Sequence, residues 1–278
     1  MGHHFVPQFY LKGFEASGRI WAYDKLESRC FPTQAKSIAN ETGMYSEDIE
    51  SFLATKIEDP AKPAITKVRV RERLSEEDRL ALAKYVVTLW KRVPRGRERA
   101  LSKMPEVADQ VHANLREELD QLEISKPELK ERIDGLRQQA EQIIARHKQN
   151  PAPELWYQGL QSETGPQIVE TMLSMHWVFL WSGSQQFLTS DNPVFFFEHE
   201  GIGSPSSELT LPLSSSLALW ATRSPRTTGG HLNATPNAVR EINRRTAHNS
   251  ERFLYAQKNE PWIMPFLRKK QWALSRLY

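Results

Sequence analysis

His3-His4-Phe5-Val6-Pro7-Gln8-Phe9-Tyr10-Leu11 puts two adjacent imidazoles, a proline and an aromatic, apolar run where most chains carry a disposable polar tail. Such a segment is expected to be tucked into the body of the protein. Its expected counterpart lies far downstream, at Thr189-Ser190-Asp191-Asn192-Pro193, a polar turn set between Gln186-Phe187-Leu188 and Val194-Phe195-Phe196-Phe197. If the two segments meet at one polar site, strands from both ends of the chain share a sheet around a helical middle. That is an α+β arrangement.

Working outward, Gly13 and Gly18 bracket a turn, and Arg19-Ile20-Trp21-Ala22-Tyr23-Asp24 alternates as a half-buried strand does, with Cys30 to Ala35 as its antiparallel partner. Ser46 precedes a helical face of Ile49, Phe52, Leu53 and Ile57 that is expected to stop before Pro60. Ser75 to Asp78 gives a hydroxyl cap and an acidic first turn. Leu82, Val86, Leu89, Trp90 and Val93 then keep helical spacing up to Pro94. Residues 105–150 change character: Leu115, Leu119, Leu122, Leu129, Ile133, Leu136, Ala140 and Ile143 form a thin apolar stripe among charged neighbours. This predicts a projecting charged helical arm inserted in a single α+β domain of residues 1–278. Ser125-Lys126-Pro127-Glu128 marks either a kink or a corner between two helices. Residues 153 to 181 read as a further helix. Antiparallel strands are expected at Phe187-Leu188, Val194 to Phe197, Leu209 to Leu213, Leu217 to Ala221 and Phe253 to Ala256, with a helix opened by Thr235-Pro236. The tail mixes Trp262, Phe266, Trp272 and Leu277 with Arg268-Lys269-Lys270 and Arg276, which suits packing on the body or binding a polyanion.

HHFVPQFYLKGF at residues 3–14, GRIWAYD at 18–24, TSDNPV at 189–194 and LPLSSSLAL at 211–219 together resemble the domain-of-unknown-function family 4238. The blocks span nearly the whole chain, the charged middle excepted. The resemblance supplies suspect residues, and almost no chemistry. It favours a functional role for Asp191.

At 278 residues and 39% apolar content the chain is long enough to build a real core. With 37 basic against 34 acidic residues, net charge by itself does not imply a polyanionic partner. The one cysteine, Cys30, excludes an internal disulfide framework and any zinc site needing two thiolates. No secretory segment and no apolar run near 18 residues is read, so the expectation is a cytoplasmic protein without a membrane partner. Phosphate-cradling glycine loops and nucleophile elbows are missing from the sequence.

The candidate chemistry centres on His3, His4 and Asp191. Imidazole suits metal ligation or proton transfer, and in an extended backbone only one of the two histidines faces a given pocket. Gln8 and Tyr10 are placed to orient the inward ring. Ser190 and Asn192 flank the carboxylate, although Asx side chains also bond backbone amides in turns. Asn243, an amide on an apolar helical face, is read as bonding the Asp191 turn, holding substrate or capping a neighbouring backbone group. Glu58, with Glu41 as a weaker option, is the second carboxylate for a divalent metal held by His4 and Asp191, and oxygen donors favour Mg or Mn over Zn. Arg92 and Arg95, in a cluster with Lys91, Arg97 and Arg99, could grip phosphate. Three functions follow as expectations. The first is a metal-dependent hydrolase, a nuclease or phosphoesterase acting on a nucleic acid or nucleotide. The second is a module that binds a nucleotide or other small ligand without turnover. The third is an interaction protein of toxin or defence type, meeting a protein partner or a second copy through the 105–150 arm.

Overall fold

The opening segment forms strand β1 (Gly2–His4) and, entered through Pro7, the one-turn helix α1 (Gln8–Leu11). The hairpin β2 (Ile20–Asp24) and β3 (Arg29–Thr33) follows, then β4 (Asn40–Thr42), which pairs with β1 so that His3 faces Glu41 and His4 faces Asn40 across the ladder. Helix α2 (Glu47–Phe52) begins where the Ser46 hydroxyl accepts the Ile49 amide. It does not end before Pro60. A wide π-helical turn over Leu53–Glu58 carries it into α3 (Asp59–Arg69), with Pro60 just past that turn. Helix α4 (Glu76–Arg92) opens with a complete capping box, Ser75 and Asp78 each receiving the other's backbone amide.

Helices α5 (Pro94–Ser102), α6 (Met104–Ser125), α7 (Lys130–Gln149), α8 (Pro153–Gln161) and α9 (Pro166–Ser174) make up the helical middle. The expected single helix over 153 to 181 is instead α8, α9 and then strand β5 (His176–Trp181), because the run Trp177-Val178-Phe179-Leu180-Trp181 is all aromatic or branched and suits a buried strand. Strands β6 (Thr189–Ser190), β7 (Phe195–Phe196), β8 (Glu208–Ser214), β9 (Leu217–Thr222) and β10 (Gly230–Asn233), helix α10 (Pro236–Asn249), strand β11 (Phe253–Ala256) and the short helix α11 (Ile263–Leu267) complete the order. Phe187-Leu188 is not in a strand: its polar backbone is taken up by the Asn243 side chain, which accepts from the Leu188 amide at 2.9 Å and donates to the Gln186 carbonyl at 3.0 Å.

The computed structural model describes residues 2–161, 166–224, 229–269 and 272–277, and the chain divides into two units, Met1–Arg95 with Gln161–Tyr278, and Gly96–Leu160. In the first unit, β3, β2, β11 and β6 form an antiparallel sheet that joins both ends of the chain, with Tyr23 opposite Leu254 and Ser190 also opposite Leu254. A second sheet runs β10-β5-β9-β8-β7, antiparallel except where β10 lies parallel to β5. Helix α10 contributes to both cores. Val239 and Ile242 pack with Val178, Leu180, Phe187 and Trp220 of the second sheet region, while Ala247 packs with Tyr23, Leu188 and Leu254 of the first. The short helix α11 adds Ile263 and Leu267 to that first cluster, with Phe266 and Trp272 against it. Gly13 lets the opening block approach β8: a side chain there would come within 2.7 Å of the Leu213 carbonyl oxygen.

In the second unit α6 and α7 form an antiparallel hairpin, so Ser125 to Leu129 is a corner and not a kink. Leu119 and Ile133 are buried between the helices. Arg137 ties the pair together, meeting Asp120 at 2.6 Å and Glu123 at 2.7 Å, and Lys148 meets Asp109 at 2.7 Å.

Two aspartates make the first unit sensitive to acid. The guanidinium of Arg252, 2.6 Å from Asp24, and the Lys67 ammonium, 2.6 Å from Asp78, hold both carboxyls below the ordinary 3.8. A depressed folded-state pKa contributes stability that is present above the unfolded value and lost as pH falls through the folded one. The urea midpoint is therefore expected to fall below pH 3.8, and Asp78→Asn to be weaker than wild type at pH 7 with a gap that closes in acid. A gap of equal size at pH 7 and pH 3 would contradict this.

Candidate functional site

The two histidines point to opposite sides of β1, as the period of a strand requires. The buried His3 ring stacks on Tyr45 with centroids 5.0 Å apart, and its Nδ1 lies 3.4 Å from the Tyr45 amide that donates to it. Its Nε2 is 3.8 Å from the Glu47 carboxylate. His4 Nε2 lies 3.2 Å from the Lys36 carbonyl oxygen, and Gln8 Nε2 reaches His4 Nδ1 at 3.5 Å. The carbonyl partner assigns the proton to Nε2, which leaves Nδ1 to accept from Gln8. Gln8 thus contacts His4, the more exposed ring, and not the inward His3 that it was expected to orient.

The strongest bonds of this corner converge on the backbone of His4. Its carbonyl oxygen accepts from Tyr45 Oη at 2.9 Å and from Arg92 Nη2 at 2.5 Å. Arg92 is 1% exposed, bonds Glu58 through Nη1 at 2.5 Å and donates to Tyr45 Oη at 2.9 Å. Burial works against the charged guanidinium, but Tyr45 and Glu58 more than offset it and raise its pKa. Burial also pushes the Tyr45 hydroxyl up to about 12, so it remains a donor at neutral pH. Arg92 is therefore an enclosed strut, out of reach of a phosphate, and Glu58 is its counter-ion. Arg95 is half exposed, 3.8 Å from Glu251.

Tyr10 is where the two sequence blocks meet. Its hydroxyl lies 2.7 Å from Thr189 Oγ1 and donates to the Pro212 carbonyl at 2.7 Å, at a point where Pro212 offers no amide and β8 shifts register against β9. Burial pushes the Tyr10 hydroxyl far above its ordinary value, which keeps it neutral. Asp191 lies in the turn after β6. Its Oδ1 accepts the Glu251 amide at 2.9 Å, and its Oδ2 accepts those of Arg252 at 2.7 Å and Phe253 at 2.8 Å. Desolvation raises its pKa and these three amides oppose the shift. Ser190 Oγ accepts the Asn192 amide at 3.1 Å, and Asn192 and Asn249 exchange side-chain-to-backbone bonds of 3.0 and 2.7 Å. The Ser-Asp-Asn-Pro turn is a clasp that binds the end of α10 and the start of β11 to β6.

His4, Asp191 and Glu58, the expected metal ligands, are each committed elsewhere: to Lys36 and Gln8, to three backbone amides, and to Arg92. Among the described residues no group of three or more His, Cys, Asp or Glu side chains is arranged to hold a metal ion. In this structure the three side chains are thus engaged by protein partners. Glu41 sits on β4 opposite His3, and Cys30 on β3 is a half-buried free thiol. Asn243 is satisfied by the 186–188 backbone, so of its three expected roles it takes the structural one.

A different place in the first unit carries the features of a ligand site. A recess of about 490 Å³ is lined by Arg240, Asn243 and Arg244 of α10, by Ser184, Gln185 and Gln186 of the loop after β5, and by Glu260, Trp262, Pro265, Phe266, Lys269 and Trp272. The three rings form a continuous wall: Trp262 meets Phe266 edge-on at 5.5 Å, and Phe266 meets Trp272 at 4.4 Å. Lys269 lies 5.8 Å from the Trp272 ring centre, and Arg244 is 3.2 Å from Glu241. Glu260 accepts from Gln186 Nε2 at 2.8 Å and from the Trp262 indole, which fixes the tilt of that ring. The tail aromatics and Lys269 were read from the sequence as packing on the body or binding a polyanion. Arg240 and Arg244 were missed, although their i, i+4 spacing puts two cations beside Asn243 on one helical face.

No curated protein and no solved structure matches the chain. The sequence model of the family described as "Protein of unknown function (DUF4238)" matches residues 2–260, and the chain belongs to that family.

Proposed function

We propose that this protein binds a nucleotide-class ligand, a planar base carrying phosphate, in the recess between α10 and the tail. The observation that carries the reading is the convergence of a three-ring wall with three cations, Arg240, Arg244 and Lys269, on one concave surface. Rings offer a stacking face and guanidinium groups a fork for phosphate oxygens. Recognition without turnover is favoured over hydrolysis. Among the described residues the lining includes no histidine or cysteine, and the Glu260 carboxylate is held by Gln186 and Trp262. This keeps the expected nucleotide partner and moves it away from the His-Asp pair.

Calorimetric titration with AMP tests it. Trp262→Ala and Arg240→Glu, both at exposed positions, are each expected to weaken AMP about tenfold or more, since base stacking contributes ~1–3 kcal/mol. Inorganic phosphate alone should bind more weakly than AMP. Unchanged AMP affinity in both variants, or no heat with wild type at millimolar AMP, would overturn the reading.

A further inference from the structure

We infer that the natural ligand is a single-stranded nucleic acid that runs past the nucleotide recess into a second one. This rests on the nucleotide reading above and extends it. A neighbouring hollow of about 370 Å³ is lined by Arg71, Trp181, Ser182, Gly183, Ser184, Gln185, Asn233, Ala234, Pro236 and Val239. Ser184 and Gln185 line both hollows, so the two are contiguous. Helix α10 floors the whole path, presenting Pro236 and Val239 to one hollow and Arg240 and Arg244 to the other. At 1.5 Å per residue that stretch is about 12 Å long, the span of roughly three stacked nucleotides at ~3.4 Å each.

The second hollow repeats the chemistry of the first. The Arg71 guanidinium lies 4.7 Å from the Trp181 ring centre, and the Trp181 indole donates to His231 Nδ1 at 3.0 Å. The ring and its stacked guanidinium are held in place, and a guanidinium plane is itself a surface on which unpaired bases stack. Hydroxyls and an amide, Ser182, Ser184 and Gln185, bridge the two aromatic stations. A mononucleotide fills one station; only a strand fills both. A duplex is excluded by the same feature, because its base faces are already stacked on each other and cannot reach the rings.

Competition against a labelled mixed-sequence decamer on the full chain tests this, using unlabelled AMP, tetranucleotides of RNA and of DNA, and a duplex of the decamer. The tetranucleotides are expected to compete at least tenfold better than AMP, and the duplex far worse than either single strand. RNA winning over DNA, or the reverse, identifies the sugar. Arg71→Glu, an exposed change, and Trp181→Ala should each weaken tetranucleotides about tenfold and leave AMP unchanged, whereas Trp262→Ala weakens both. AMP binding as tightly as a tetranucleotide, or full tetranucleotide affinity in Arg71→Glu, overturns the strand and leaves the nucleotide reading standing. Loss of all binding, AMP included, sinks both.

Discussion

Replacing Asp191 with alanine is expected to destabilise the protein by about 3 kcal/mol, because the amides of Glu251, Arg252 and Phe253 lose their acceptor together and each unsatisfied group costs ~1–3 kcal/mol. The low end of the sum applies: burial already disfavours the charged carboxylate, and the segment that supplies the amides is partly open to water, which can replace the lost acceptor. Asp191→Asn should also be destabilised, since its NH₂ group would face an amide donor. His4→Ala removes two long ring contacts and leaves its carbonyl in place, so a change of about 1 kcal/mol or less is expected. Urea unfolding of the three variants separates the clasp from a chemical role. A stable Asp191→Asn would count against the clasp.

The second large effect is expected at Arg92. Arg92→Ala strands a part-buried Glu58 and strips the His4 carbonyl of one of its donors, a loss of ~3–5 kcal/mol by analogy with other broken buried pairs. Pairing Arg92→Met with Glu58→Leu removes both charges and should recover a substantial part of that loss. The double-mutant cycle reads the coupling directly. If Arg92→Ala costs under ~1 kcal/mol, the guanidinium is not the strut described here.

Elements whose signals are local were legible. The Ser75 cap gives the start of α4, the charge-flanked leucine stripe gives the α6–α7 pair, and alternation gives the β2–β3 hairpin. Strand β5 was not legible because a short apolar run has no period that separates a strand from a buried helix. The site was harder for another reason. Residue types reveal which donors and acceptors exist but not which partners satisfy them. Asp191, Arg92 and Asn243 all looked available for chemistry, and each is engaged by neighbours 34 to 88 positions away in sequence. The expected convergence of the two blocks does occur, through Tyr10 and Thr189, and it brings a phenol to a threonine rather than an imidazole to a carboxylate. Of the tail's two readings, packing on the body is what the structure shows, since Trp272 packs against the first core; polyanion binding belongs to the proposal for the recess that Trp272 also lines.

The stretch recognised as common to the family stops at residue 260, and Trp262, Phe266, Lys269 and Trp272 all come after it. In this chain, then, part of the recess wall lies outside the matched stretch, while Ile263 and Leu267 of the same tail are built into the first core. Exchanging that ending would therefore change the recess and open the first core at the same time, so the two cannot vary independently.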